Sequence, residues 1–324
     1  MVRLRRSDLD TPGITRRRCG RGFSYRAPEG GNLTDSGELE RIKALAIPPA
    51  WAKVWISPHA HGHIQAVGTD GAGRRQYIYH PRWRARKDRE KFDRALAFAA
   101  TLPGARRVVT RHLRGKGTSR ERALAAALRI VDAAALRIGS AHYAQENGTF
   151  GVTTLQHEHL SVRGTVVAFD FPGKSGQRWN STLDDGDLAA ALRPMLRRST
   201  SGAALAYRSS NGLWQALDAP TLNEFLRQVT GGDFTAKDFR TWQATVLAAM
   251  ELARANAEAT TRTARKRALS HTMQVVAEHL GNTPAVVRKS YVDPRLADRF
   301  MAGDVIPIAG YSASEKAVQE FLAD

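Results

Sequence analysis

The sequence predicts an α+β protein: a small β-rich N-terminal domain, residues 1–87, followed by a mainly α-helical domain, residues 88–324, with a β-hairpin insert. Three observations carry this reading. A chain of 324 residues exceeds what one hydrophobic core usually organises, so two domains are the default. From about Asn32 to Tyr79 the signals are short strands and turns: "KVWISP", "GHIQAVGT", the Gly-rich turn "DGAGRR" and then "QYIYH". Helix-compatible sequence starts near Arg84 with "RARKDREKFDRALAFAATL" and persists to the end, apart from strand-like runs around Thr165 to Trp179.

In chain order, residues 1–30 read as a flexible basic arm. The cap "TSRE" has capping-box spacing from Thr118 to Glu121 and opens the longest expected helix, which runs through "RALAAALRIVDAAALRIG" to Gly139 or beyond. Strand, turn and strand follow in "VVAFDFPGKSGQRWN". Further helices are expected at "APTLNEFLRQVT", "KDFRTWQATVLAAMELARANA" and "HTMQVVAEHL", the last ending at Gly281. "NTPAVVRKSY" restarts a helix with Asn282 or Thr283 as N-cap and Pro284 at its first position. The segment after "IPIAG" reads as a short amphipathic helix.

Composition narrows the function classes. A hydrophobic fraction of 42% is globular, and no apolar run has the length of a membrane span. The N-terminus is basic but has no apolar signal-peptide core. The one cysteine, Cys19, can form neither an internal disulfide nor a cysteine-based zinc site, which fits a reducing cytoplasm. Charge is the informative property: 49 Lys and Arg against 31 Asp and Glu give +18, which points to a polyanionic partner. The excess is spread over "RRRCGRGFSYR", "GAGRRQYIYHPRWRARKDREK", "ARRVVTRHLRGKGTSRER" and "RTARKR", so several surfaces would face one ligand. Membrane lipid fits less well, because no long amphipathic helix segregates these charges.

Two motifs suggest cofactors at first sight. "GKS" is not a nucleotide-binding P-loop, because Ala168 stands where that loop needs its first glycine and Gly176 interrupts the required helix. Lys174 is therefore a residue at a hairpin tip. The histidine groups His59, His61, His63 and His157, His159 alternate as strand ligands could, but neither has a nearby carboxylate or cysteine set to complete a metal site. No cofactor or metal is expected. In "GRRQYIYHPRW", arginines and aromatics interleave on a strand, with Gln76 on the face opposite Tyr77 and Tyr79. The net charge favours a DNA-contacting strand: Arg74, Arg75, Tyr77 and Tyr79 toward phosphates, Gln76 toward a base edge.

The expected helical domain holds the main constellation: Arg137 in "RIG", Lys174 in "GK", Arg240 in "KDFRT", Asn282 in "GNTP" and Tyr291 in "SYVDP". In order and in flanking words this resembles the type IB DNA topoisomerases, and within them the short poxvirus-like enzymes of bacteria. Asparagine at 282, where poxviral and nuclear relatives carry histidine, is similar to the bacterial members. The resemblance implies a tyrosine recombinase/topoisomerase IB-like fold closing as a C-shaped clamp on duplex DNA, with Tyr143 and Lys237 among the DNA contacts. It implies relaxation of supercoils without ATP or obligatory metal: Tyr291 attacks a phosphodiester, a 3′-phosphotyrosyl bond forms, and religation reverses it. Arg137, Arg240 and Asn282 then stabilise the phosphorane, and Lys174 protonates the leaving 5′ oxygen. The enzyme is expected to be a monomer in the cytoplasm, on the nucleoid. A tyrosine recombinase shares this chemistry, but its usual HxxR word is absent, because Lys237 stands three residues before Arg240. A noncatalytic architectural DNA-binding protein is the other alternative.

Overall fold

The computed structural model describes residues 3–198 and 202–323. The protein is α+β and divides into two compact units, Met1–Lys91 and Phe92–Asp324.

In the first unit, strands β1 (Ile14–Cys19) and β2 (Gly22–Arg26) form a hairpin, followed by helix α1 (Ser36–Ala44) and strands β3 (Ala52–Ile56), β4 (Ile64–Thr69) and β5 (Arg75–Tyr79). They make one five-stranded sheet in the order β2-β1-β3-β4-β5, antiparallel throughout. Ile14, Ile42, Ile47, Val54, Ile56 and Ala66 form its core. The expected basic arm is thus corrected: residues 14–26 are sheet. Arginines hide the strand period there, because Arg16 lies over the Phe23 ring at 4.1 Å and donates to the carbonyls of Ile47, Pro48 and Trp51. Helix α1 was also missed among the strand signals, although Asp35 caps it by accepting the Glu38 N–H at 2.7 Å. Buried Gln65 marks a bulge in β4. It donates to the carbonyls of His59, Ala60 and Gly62 and accepts from Arg41 at 2.8 Å, so one amide holds the preceding turn.

The second unit contains most of helix α2 (Pro81–Leu113), then α3 (Arg120–Ala134) and α4 (Ala141–Asn147). Strands β6 (Leu160–Arg163), β7 (Val166–Pro172) and β8 (Arg178–Asp184) form a three-stranded antiparallel sheet. Helix α5 (Gly186–Leu196), the short hairpin β9 (Ala206–Arg208) and β10 (Trp214–Ala216), and helices α6 (Ala219–Thr230), α7 (Ala236–Ala255), α8 (Arg262–Leu280), α9 (Pro284–Ser290), α10 (Pro294–Ala302) and α11 (Tyr311–Ala323) complete it. Two sequence expectations need correction. The cap of α3 is Ser119, which accepts the Arg122 N–H at 3.2 Å, rather than Thr118. That helix ends at Ala134, short of Gly139, because Ala135 turns left-handed at φ 53°, and α2, not α3, is the longest helix.

Helix α7 is buried along most of its length, with Trp242 wholly enclosed. The indole N–H of Trp242 donates to Glu315 of α11 at 2.9 Å. Arg106 of α2 bridges Glu315 and Asp132 of α3 through four hydrogen bonds of 2.6 to 3.1 Å. Four helices therefore meet at one ion-paired junction. In Glu315→Ala the Trp242 and Arg106 donors lose their shared acceptor in the interior, so stability should fall by about 2–4 kcal/mol. The check is a lower urea midpoint for the full chain at unchanged denaturant slope.

Candidate active site

Arg240 lies on α7 and is only 3% exposed. Its guanidinium donates to two backbone carbonyls, that of Ala135 and that of Leu280 at 2.7 Å. Both carbonyls stand at the C-terminal ends of helices, α3 and α8, where the last carbonyls lack helical partners and carry partial negative charge. The Arg240 Nε–H has no hydrogen-bond partner although it is buried. A buried, unsatisfied cationic donor is suited to an anion. Burial first, then the neighbouring Arg137 charge, pushes the Arg240 pKa down to about 10, so the group remains protonated at neutral pH.

Tyr291 is the C-cap of α9 and is nearly buried, with the Arg240 guanidinium carbon 5.5 Å from its ring centre. Burial pushes the phenol up, but the charge and hydrogen-bonding reach of the Arg240 guanidinium, then the charges of Arg137 and Lys237, outweigh it, and the net pKa lies below that of an ordinary tyrosine. Lys237, exposed three residues before Arg240, thus acts on the phenol. Arg137 lies in the irregular segment after α3, not on the helix where the sequence placed it. It donates to the side-chain oxygen of Asn282 at 2.7 Å and, more weakly, to the Gly281 carbonyl at 3.4 Å. Asn282 follows the left-handed glycine cap of α8, and its N–H donates to Ala277 O at 2.9 Å.

Lys174 is exposed in a tight turn, Lys174–Gly176, between β7 and β8. The Gly173 N–H donates to Gln177 O at 2.7 Å and closes the hairpin. Lys174 and Arg137 line one open cavity of about 570 Å³ together with Tyr143, Asn147, Thr149 and Phe150. Tyr143 is 58% exposed on α4. The structure thus brings together Arg137, Arg240, Asn282 and Tyr291, with Lys174 and Tyr143 on the cavity that Arg137 shares.

Comparison with known proteins gives this grouping its context. The family described as "Eukaryotic DNA topoisomerase I, catalytic core" matches residues 80–299, and the family "Bacterial DNA topoisomerase IB, N-terminal domain" matches residues 22–70. The chain belongs to the type IB DNA topoisomerases. DNA topoisomerase 1B of Acanthamoeba polyphaga mimivirus is 29% identical over 286 residues, 86% of this chain and 85% of that one. DNA topoisomerase 1 of Mycosarcoma maydis is 27% identical over 51% of this chain but 18% of its own length, and that of Daucus carota 27% over 49% and 19%. Against the two larger relatives the likeness is confined to part of their length.

As a type IB topoisomerase the protein is an isomerase that acts on DNA. Among the described residues no helix is long and apolar enough to cross a membrane. The remaining sequence-predicted contacts lie on β5 and, for Arg74, just before it. Arg75, Tyr77 and Tyr79 are exposed on one face, where the tyrosine rings stack at 5.9 Å and the Arg75 guanidinium lies 5.7 Å from the Tyr77 ring. Gln76 is on the opposite face, as its position in the strand requires, and donates to Asp70 at 2.9 Å. Arg74 pairs with the same carboxylate, whose backbone and side-chain donors, Arg74 first, hold its pKa at about 2. The structure therefore groups Gln76 with Arg74 and Asp70 rather than with the tyrosines.

His63 accepts the Ser7 N–H at 2.8 Å, and buried His159 accepts that of Gln156 at 3.0 Å. Sequence reasoning missed Thr245 and His279. His279 lies one residue before Leu280, and burial and the Arg240 charge hold its pKa below the ordinary histidine value. If Arg240 is what depresses Tyr291, Arg240→Ala should raise the phenol's titration, because burial would act with less opposition. The test is tyrosinate absorbance against pH, each protein referenced to its own Tyr291→Phe counterpart; an unchanged or lower value would refute the assignment.

Proposed function

We propose that Tyr291 is the nucleophile of a reversible strand-cleavage reaction in which Arg137, Arg240 and Asn282 bind the scissile phosphate and Lys174 is the general acid. The observation that carries this reading is the free Arg240 Nε–H beside a phenol of lowered pKa. The phenol gives up its proton to water as its oxygen attacks phosphorus, the bond to the 5′ oxygen breaks, that oxygen takes a proton from Lys174, and a 3′-phosphotyrosyl ester and a 5′-hydroxyl are left. In the pentacoordinate transition state negative charge grows on the nonbridging oxygens, and donors already fixed by the fold stabilise it without reorganisation. Arg240 offers Nε–H, while Arg137 turns its remaining guanidinium donors to the other oxygen. Asn282 contributes an amide donor without charge. Because the phosphotyrosine retains the bond energy, religation needs no ATP, and with two guanidinium groups at the phosphate no metal ion is obligatory.

Lys174 suits the leaving group by its position on the cavity that Arg137 lines. The N-terminal unit is proposed to bind duplex DNA through Arg75, Tyr77 and Tyr79, with Arg74 and Gln76 on the other face of that strand; Tyr143 and Lys237 add contacts beside the reaction centre. The enzyme is proposed to work as a monomer on chromosomal DNA in the cytoplasm.

Plasmid relaxation with EDTA and without ATP tests the overall reading, and a requirement for a divalent metal or for ATP would count against it. Tyr291→Phe should keep DNA binding and lose both relaxation and the covalent adduct; an adduct persisting in that variant would move the nucleophile elsewhere.

The role of Lys174 is separable. Lys174→Ala should slow cleavage by roughly 10²- to 10⁴-fold with little change in binding. On a substrate with sulfur at the bridging 5′ position the variant should recover nearly all of that loss, since a thiolate leaves without a proton. Arg137→Ala should not recover to the same degree. Equal behaviour of the two variants on both substrates would make Lys174 a simple phosphate contact.

A further inference from the structure

We propose that Thr245 is a positioning residue that fixes the backbone of Tyr291 relative to Arg240. The proposal rests on the reading of Tyr291 as nucleophile. Tyr291 and Val292 form the two-residue link between the last residue of α9, Ser290, and Asp293, the N-cap of α10. Helix α9 holds the Tyr291 N–H on Val287 O at 2.9 Å, but the carbonyl side of the tyrosine lies beyond that helix and before α10. Thr245 lies on α7, five residues after Arg240, and is 2% exposed. Its hydroxyl accepts the Asp293 N–H at 3.3 Å and shares its own hydrogen between Thr241 O at 2.9 Å and Tyr291 O at 3.3 Å. A hydroxyl supplies one donor and two acceptor sites, so this one side chain can engage both ends of the link at once.

The consequence is geometric. α7 carries Arg240, whose guanidinium binds the ends of α3 and α8. Through Thr245 the same helix also holds the peptide from which the Tyr291 ring projects. The nucleophile and its charge partner are thereby referenced to one rigid element, and a rigid element places reacting groups better than a loop does. Asp293 is only 2% exposed and spends its carboxylate on Arg295 and on the α10 cap, so it leaves the backbone N–H to Thr245.

Thr245→Val keeps the shape and removes the hydroxyl; Thr245→Ser keeps the hydroxyl. Single-turnover cleavage of a duplex substrate should slow by about 10- to 100-fold in Thr245→Val, the scale of a small misplacement of a reacting group, while DNA affinity stays unchanged. Thr245→Ser should restore most of the rate. Cleavage and religation share one transition state, so Thr245→Val should slow both by the same factor and leave the fraction of covalent complex at equilibrium unaltered. Should the valine variant fail to fold, Thr245→Ala is compared with Thr245→Ser in its place. Wild-type cleavage in Thr245→Val, equal slowing in the valine and serine variants, or a loss of affinity that accounts for the slow rate would each overturn the proposal. Adduct formation by Tyr291→Phe, measured alongside, would instead overturn the nucleophile reading on which it rests.

Discussion

The burial of the Arg240 guanidinium is the constraint around which the catalytic unit is arranged. An uncompensated cation in the interior costs several kcal/mol, and the usual remedy is a carboxylate. Here the remedy is two helix-end carbonyls, from Ala135 and Leu280. The nearby acids are committed elsewhere: Asp132 and Glu315 to Arg106, Asp238 to Arg94. Carbonyls solvate the cation without neutralising it, so its full charge remains for the tyrosine and for the proposed phosphate. Burial then works in favour of the chemistry, because a charge in a low-dielectric setting acts more strongly on its neighbours than one in water.

Supplying those carbonyls requires α3 and α8 to stop where they do. Gly281 ends α8 at φ +57°, and the "LGN" word made that stop legible in the sequence. Ala135 ends α3 in the same left-handed region at a cost of roughly 1–2 kcal/mol for a residue with a Cβ. Nothing local in "AAALRIG" signals it, so the periodicity runs on to Gly139. The break comes from tertiary contacts: Ala135 O receives Arg240, and the following segment pairs as Val152 N to Arg137 O and Thr153 N to Ile138 O. Local propensity was overridden where Arg137 had to leave the helix.

The same division between local and distant signals runs through the rest of the fold. Helices α6, α7 and α9 and the β7–β8 hairpin were legible because their caps, turn glycines and apolar periods are local. The β1–β2 hairpin was not, since an arginine run looks solvated until Arg16 finds three carbonyl partners far along the chain. Strand alternation did foretell that Gln76 faces away from Tyr77 and Tyr79. Word order singled out Arg137, Arg240, Asn282 and Tyr291, four residues that the structure brings together. Thr245 escaped because a buried threonine in a helix has no sequence signature, and its partners lie 46 and 48 residues away.

The turn Leu280-Gly281-Asn282 shows why so few residues can align two arginines. Leu280 O receives Arg240, Gly281 O lies 3.4 Å from Arg137, and the Asn282 side-chain oxygen receives Arg137 at 2.7 Å. One three-residue turn thus sets the separation of both guanidinium groups. An amide suits position 282 because its oxygen can hold Arg137 while its nitrogen remains a donor. That nitrogen has only a long contact, 3.5 Å, to Leu280 O and gives up little in turning to an anion. A carboxylate there would pair with Arg137 and remove charge that the proposed phosphate site needs. A side chain at 281 would be strained at that backbone angle and would meet the Trp179 ring at 3.3 Å. The glycine and the amide are therefore linked requirements: the first fixes where the turn presents its acceptors, and the second leaves a donor free once those acceptors are occupied.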